Sequence, residues 1–315
     1  MSREINDSLR SSLRARSDFL AAIRSYFSAQ DVLEVETPLL RSYTASDPNI
    51  SSLALAPSIY PSKLRFLQTS PEAALKRLLA EGSGSIFQLG KVFRDDPAGR
   101  WHRQEFTMLE WYRVGYRLEQ LMDDVAALLT SVGIDCAAPE TASYRQLFLD
   151  CLSIDPFSAT LEDLQSMARS RVDLAFQSDT KDDWLDLLFT HCIQDHLGLE
   201  APIFVIDYPP SQAALAAIER DPAGGLIARR AELFWRGVEL ANAYQELVDE
   251  REFEQRYERD IQLRRAAGKR EPVIDKDLSD AMSQGLPDCA GVALGVDRLF
   301  ALVSGSNAIE SGLFD

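Results

Sequence analysis

Apolar residues recur at helical spacing near the start of the chain. Leu9, Leu13, Leu20, Ile23 and Phe27 predict an amphipathic helix over about residues 8–29. Val32 to Leu40 is apolar and β-branched and ends in Pro38-Leu39-Leu40, which reads as a strand whose proline confines it to an edge or interface. Residues 41–62 are rich in Ser, Pro and Asn and read as loop with room for one short strand. Ser70-Pro71-Glu72 then opens a helix. Ser70 can cap it, Pro71 suits the first helical position, and Glu72 suits the positive end of the dipole. Leu75, Leu78 and Leu79 give that helix an apolar face, and Gly82 and Gly84 end it.

The pattern then changes to period two. Ile86 to Arg94 and Gln104 to Arg113 read as the arms of a long antiparallel hairpin around the polar loop Asp95 to Arg103. On the return arm Phe106, Met108, Glu110 and Tyr112 share one face. A carboxylate and a phenol beside Phe and Met mark that face as the wall of a site. Leu118 to Val132 is another amphipathic helix, and residues 135–200 read as mostly helical with no assignable chemistry. Ile203 to Asp207 is a short buried strand. Leu233 to Leu247 mixes apolar residues with Glu239, Asn242 and Glu246, and Arg251 to Arg265 is a charged helix. Gly291-Val292-Ala293-Leu294-Gly295-Val296 is a glycine-spaced strand running into a helix at Asp297-Arg298. No repeat or linker interrupts this order, so residues 1–315 are expected to form a single domain with a helical insertion at about 135–200.

Composition narrows the class. The 315 residues are 46% apolar and 26% charged, enough to bury a sizeable core. No apolar run reaches the ~18–20 residues that a bilayer span needs. The polar stretch Met1 to Arg16 has no signal-peptide core, so a cytoplasmic, membrane-free protein is expected. Cys136, Cys151, Cys192 and Cys289 form no C-x-x-C pair and are expected to be buried, reduced thiols. His191 and His196 are five apart, the wrong interval for a zinc helix. A net charge of −16 argues against broad nucleic-acid binding. Arg264, Arg265, Lys269 and Arg270 form the densest basic stretch, expected to be a docking patch.

Three segments carry the chemistry. The first is Val32 to Leu40. The second is Phe93-Arg94-Asp95-Asp96 followed by His102-Arg103-Gln104-Glu105-Phe106-Thr107-Met108-Leu109-Glu110. The third is Gly291-x-Ala293-x-Gly295-x-Asp297-Arg298. In this order they resemble motifs 1, 2 and 3 of the class II aminoacyl-tRNA synthetases. Glu105 to Tyr112, Glu239-Leu240-Ala241-Asn242 and Gly295 to Arg298 resemble the lysyl branch, and Ser70-Pro71-Glu72 with Met282 to Arg298 resembles a shortened paralogue of that branch.

The resemblance implies an α+β fold, an antiparallel sheet of about six strands flanked by helices. It implies an AMP-forming, ATP-dependent ligase that activates lysine or (R)-β-lysine as the adenylate. The acceptor it implies is a lysine side chain of elongation factor P, and motif 1 implies a homodimer. Its ATP-binding positions fall on Arg94, Asp95, Asp96, Arg103, Phe106, Glu239, Leu240, Gly295 and Arg298. Its amino-acid positions fall on Ser70, Pro71, Glu72, Tyr112 and Glu246.

The residue types fit those roles. A carboxylate must approach a phosphorus that is itself negatively charged, so fixed positive charge is required. Arg94 offers a planar fork for the α-phosphate, and Arg298 is the candidate for the γ-phosphate. Phe106 can stack on adenine, and Gly295 lets backbone approach the nucleotide. Glu239 and Glu246 are candidate Mg²⁺ ligands. Their seven-residue spacing fits one helix face; on a strand it needs a bulge to bring both to one site. A lysine-like ammonium needs acidic partners, and Glu72, Glu110 and Glu246 are available. Asp96 and Arg103-Gln104 depart from the family's Glu and Asn-Pro, and Ala293 stands where true lysyl-tRNA synthetases carry glycine. The motif 1 helix begins near residue 8, so no anticodon-binding domain is expected and tRNA is an unlikely acceptor. A tRNA-charging enzyme and a non-catalytic regulatory paralogue are the alternatives.

Overall fold

The computed structural model of the chain describes residues 7–56, 64–134, 136, 139–173 and 175–309. Its first helix, α1 (Asp7–Ala29), buries Phe19, Ile23 and Phe27, a stripe at four-residue spacing on one helix face. Leu9 and Leu13, expected on that stripe, are 40% and 48% exposed, so the core engages only the second half of the helix.

The strand expected over Val32 to Leu40 splits in two. β1 (Leu33–Glu34) joins the main sheet, while β2 (Leu40–Arg41) joins β3 (Ala54–Leu55) and β4 (Arg65–Leu67) in a separate three-stranded sheet. Pro38 is the physical cause, since it has no N–H for a ladder. Its neighbour Thr37 instead donates its N–H and hydroxyl to the Gln88 side chain at 3.1 and 2.8 Å. The loop expected over 41–62 contains β3; residues 57–62 lie outside the described residues.

α2 (Glu72–Ala80) starts one residue later than the proline rule suggests, with Pro71 as its N-cap, and the Ser70 hydroxyl accepts from the Glu72 N–H at 3.0 Å. β5 (Ile86–Phe93) and β6 (Glu105–Val114) form the expected hairpin, in register from Ile86↔Tyr112 to Phe93↔Glu105. α3 (Leu118–Ser131) follows. The insertion holds one strand, β7 (Glu140–Ser143), and the helices α4 (Tyr144–Leu152), α5 (Leu161–Arg171) and α6 (Lys181–Cys192). These helices share a core of their own, including Tyr144, Phe148, Leu164, Trp184 and Leu188.

β8 (Ile203–Tyr208), β9 (Ile218–Arg220), β10 (Leu226–Trp235) and β11 (Val238–Gln245) come next. Arg236 and Gly237 join β10 to β11 with φ of 52° and 73°, a tight turn whose twist suits an antiparallel hairpin. α7 (Glu250–Ala266), α8 (Lys276–Gln284), β12 (Cys289–Gly295) and α9 (Val296–Val303) complete the described chain.

Among the described residues the main sheet runs β1-β5-β6-β12-β11-β10-β8-β7, with β9 beside β10. The six strands from β5 to β8 in that order pair antiparallel, as expected; the parallel pairs are β1 with β5 and β7 with β8. Alternation divides the sheet into two faces. Leu109, Trp111, Val292, Leu294, Ala241 and Ala243 enter the core with α1, α3 and α9. Residues of opposite parity face a cavity.

Two buried carboxylates fix this arrangement. Asp124 on α3 accepts from Arg113 at 2.7 and 2.6 Å, from Trp111 Nε1 at 3.0 Å and from the Tyr26 hydroxyl. Asp297 accepts from the Thr107 N–H at 2.7 Å and from Arg16, tying α9 to β6 and α1. No helix among the described residues is long and apolar enough to cross a membrane. Cys136 and Cys289 are buried, whereas Cys151 is exposed and Cys192 half-buried, so the expectation of four buried thiols holds for two.

Candidate functional site

One cavity of about 1470 Å³ lies over the open face of the sheet. β6 sends Phe106, Met108, Glu110 and Tyr112 into it, the alternate face read from the sequence. Glu239 and Glu246 both line it, although their parity on a strand differs. A bulge resolves this. Leu233 pairs with Ala241 and Phe234 with Glu239, so Leu240 is the extra residue. The bulge returns Glu239 to the face that carries Asn242, Tyr244 and Glu246.

At one end stand the two arginines. The guanidinium of Arg94 lies 5.3 Å from the Phe106 ring centroid. Its Nε is buried with no hydrogen-bond partner among the described residues. Arg298 donates to the Glu239 carbonyl at 2.8 Å and the Trp101 carbonyl at 3.0 Å, and its Nη2 lies 2.9 Å from His102 Nε2. Burial, and then the charge of Arg298, lowers the His102 pKa, so the ring is neutral and its Nε2 accepts from the arginine. Arg298 also lies 3.5 Å from the Glu239 carboxylate. Asp96, Arg103, Leu240 and Gly295 line the same end. Arg103 donates to the Gly99 and His102 carbonyls at 2.6 and 3.0 Å, bracing the hairpin loop. A Cβ on Gly295 would meet Arg298 Cδ at 3.6 Å, an ordinary contact. The bare backbone there is therefore not demanded by packing within the chain.

At the other end is a buried carboxylate cluster. Ser70 and Tyr112 donate to Glu110 at 2.8 and 2.9 Å. Lys76, 2% exposed, lies 2.6 Å from Glu72 and 2.7 Å from Glu246. Burial, and then the charge of Glu72, pushes Glu110 up to about 8. Burial pushes Glu246 up to about 7 even against Lys76. Burial alone would lower Lys76, but Glu246 and Glu72 together raise it, so the lysine stays charged. The contact acts unequally because Lys76 has two carboxylates, whereas Glu246 has one cation and the repulsion of Glu72. Gly291 makes the cluster possible. A Cβ there would stand 2.4 Å from both Glu246 Oε1 and Tyr112 Cε1.

Several expectations need correction. Pro71 caps α2 and does not line the cavity. Asp95 is exposed outside it, with its N–H on the Ser51 carbonyl at 2.9 Å. Glu239 and Glu246 cannot share a Mg²⁺ ion, since the strand rise between them sums to about 20 Å. Among the described residues no group of three or more His, Cys, Asp or Glu is arranged to hold a metal. A Mg²⁺ there would be carried largely by phosphates, and Glu239, beside Arg298, is a carboxylate placed at that end of the cavity. The basic stretch is not the free patch expected. Arg264 is buried, donating to the Asp47 and Ile50 carbonyls at 2.6 and 2.9 Å, and Lys269 donates to the Pro48 carbonyl at 2.6 Å. Arg265 pairs with Glu271 at 2.6 Å. The stretch pins residues 47–50, which line the cavity.

The sequence reading missed Lys76 as a site residue, although its four-residue spacing from Glu72 on a helix was a usable signal. It gave His102 no role and Gly291 no packing reason, because neither contact is local.

Comparison with known proteins follows the same lines. Residues 2–313 match the family described as tRNA synthetases class II (D, K and N). The elongation factor P–(R)-β-lysine ligase of Photorhabdus laumondii is 44% identical over 304 residues, covering 95% of this chain and 92% of that protein. The ligases of the same name from Yersinia enterocolitica and Salmonella typhi are each 43% identical, over 304 and 303 residues, covering 95% and 94% of this chain and 92% of each relative.

Proposed function

The chain belongs to the class II tRNA synthetases of the D, K and N group, and from that premise we propose that it is an ATP-dependent ligase. It activates (R)-β-lysine, or lysine, as an adenylate and transfers it to a lysine side chain of elongation factor P. One observation carries the amino-acid specificity. Glu72, Glu110 and Glu246 converge on a single internal cation, Lys76. With all three ionised, two negative charges remain without a partner. Leaving charge buried and unpaired is costly, and a substrate ammonium removes that cost.

In the first step the amino acid's carboxylate attacks the α-phosphorus of ATP and pyrophosphate leaves. Arg94 meets the charge that develops on the α-phosphate, and its unsatisfied Nε is a donor awaiting an acceptor. Arg298, held by two carbonyls and His102, meets the terminal phosphate. Mg²⁺, when bound to the phosphates, adds positive charge there, and Glu239 is the carboxylate available to it. In the second step the neutral amine of the acceptor lysine attacks the adenylate carbonyl. An amide forms, AMP leaves, and the amine loses its proton. Amino-acid-dependent pyrophosphate exchange tests the first step. Mass spectrometry of elongation factor P after incubation with ATP and each lysine isomer tests the second. Absence of exchange with either isomer overturns the reading.

The protonated cluster gives the first step a pH signature. Glu110 ordinarily titrates near 4.5 and here near 8. An ammonium binds the ionised form, so below about pH 8 binding must expel that proton. The amino-acid KM is expected to rise on acidification by up to about tenfold per pH unit and to level off above pH 8. For the free protein the sign is opposite: the raised value favours the folded state at low pH, and that contribution is lost as pH rises through 8. Exchange kinetics between pH 6 and 9 check this, and a KM flat across that range removes Glu110 as an ammonium partner.

The same reading makes the enzyme a cytoplasmic homodimer. Leu33, Leu39 and Leu40, beside or within the short strands β1 and β2, are 59%, 40% and 48% exposed, an apolar edge suited to a second copy. Sedimentation velocity is expected to give twice the chain mass; a monomer at micromolar concentration defeats this assignment.

A further inference from the structure

Lys76 stands behind the cavity wall. Glu72 and Glu246 line the cavity, whereas Lys76 is sealed beneath them on α2, the helix that also buries Leu75 and Leu79. Its Nζ lies 2.6 Å from Glu72 and 2.7 Å from Glu246. An exposed pair at the four-residue spacing of Glu72 and Lys76 contributes little to a helix. Here the nitrogen is shut away from water, and its second carboxylate comes from another element, the residue just after β11.

The carboxylates of the pocket differ in freedom. Glu246 is fixed: its N–H donates to the Cys289 carbonyl at 3.0 Å, and its Oε1 fills the space that a Cβ on Gly291 would need. Glu110 is fixed by Ser70 and Tyr112. Glu72 has room to move, since its side chain is 32% exposed, and Lys76 is what draws it inward. The oxygens of Glu72 and Glu246 that touch Lys76 stand no more than about 5–6 Å apart, a separation at which like charges repel unless a cation lies between them.

We propose that Lys76 is a positioning residue that sets the distance between the two ammonium sites of the pocket and so selects (R)-β-lysine over lysine. Both substrates carry two ammonium groups, and those of (R)-β-lysine are one carbon closer together. One ammonium sits on Glu110 and Glu246, and the other on Glu72. By pulling Glu72 toward Glu246 from behind, Lys76 shortens the span between these partners and matches it to the closer pair of amines. It also cancels one of the three negative charges, which leaves one for each substrate ammonium. Without the lysine, Glu72 and Glu246 repel, Glu72 swings toward solvent, and the span is no longer defined. The inference rests on the proposed ligase reading and deepens it, because it assigns the choice between the two isomers to a residue that touches neither.

The test reads a ratio. Pyrophosphate exchange is measured with each isomer in the wild-type enzyme and in Lys76→Met, whose straight, uncharged chain suits the sealed slot. The kcat/KM for (R)-β-lysine relative to lysine is expected to fall about tenfold or more, the scale of one methylene in a fitted pocket. The change should lie in the amino-acid KM, with kcat and the KM for ATP within twofold of wild type. Lys76→Arg is the second variant. Its fork gives each carboxylate a nitrogen of its own, so the span widens and the ratio is expected to shift toward lysine. An unchanged ratio in either folded variant overturns the proposal, because a change of charge alone moves both isomers together. Equal loss of ATP and amino-acid affinity in both variants also overturns it, by making the lysine purely structural. So does a wild-type enzyme that does not prefer (R)-β-lysine. Absence of wild-type exchange with both isomers is a different failure, that of the ligase reading itself.

Discussion

Replacing Arg94 with Ala is expected to lower amino-acid-dependent pyrophosphate exchange by about 10²–10³-fold or more, the loss seen when one preorganised donor to a developing oxyanion is removed. Folding should survive. The backbone N–H of Arg94 donates to the Gln104 carbonyl at 2.9 Å whatever the side chain, so the hairpin stays closed. The side chain forms no hydrogen bond through Nε among the described residues, and its contact with Phe106 is a ring-face contact at 5.3 Å. Loss of such an exposed or partly buried contact costs only about 0.5–1 kcal/mol. Thermal unfolding followed beside the exchange assay separates the two effects. Full activity in a folded Arg94→Ala enzyme would show that another group meets the α-phosphate.

The second large effect concerns a residue with no reactive group. Gly291→Ala is expected to abolish amino-acid activation while ATP binding persists. Gly291 sits opposite Tyr112 in the sheet register, and its added methyl would meet Tyr112 and Glu246 at 2.4 Å. Neither neighbour can yield cheaply. Tyr112 is held to Glu110, and Glu246 to Lys76, all of them buried. Overpacking of this kind costs about 1–3 kcal/mol, and the distortion falls on the ammonium partners. Measuring ATP and amino-acid binding separately by calorimetry checks the prediction. Equal loss of both ligands would indicate general unfolding of the sheet, and retained amino-acid binding would refute the clash.

Both predictions bear on how far the chain's chemistry can be read along its length. Period-two alternation on Glu105–Val114 located Glu110 and Tyr112 on a site wall, because strand geometry fixes which face a side chain takes. The same rule left Glu239 and Glu246 unresolved. Parity on a strand with a bulge depends on where the partner strand skips a residue, and that skip at Leu240 is a property of the pair. The proline in motif 1 signalled an edge correctly. Where the chain goes after Pro38 depended on Gln88, fifty-one residues from its partner Thr37.

Charge was the least legible feature. Arg264, Arg265, Lys269 and Arg270 looked like a free basic patch, yet Arg264 and Lys269 hold the carbonyls of residues 47–50 and Arg265 holds Glu271. Three acidic residues on α6 carried no motif and attracted no reading, although they share the cavity with the arginines. Local composition reports which charges exist, and not which are already paired.

Residue order alone therefore fixed most of the helices, the β5–β6 hairpin with the alternate faces of its return strand, and the arginine and carboxylate types that define the family, since these follow from periodicity and from side-chain chemistry. Only the folded chain decided which of those groups meet. Lys76 between Glu72 and Glu246, His102 against Arg298, and Gly291 beneath Tyr112 are contacts made across strands and helices. Their pKa values and their spacing exist only once water has been removed from between them.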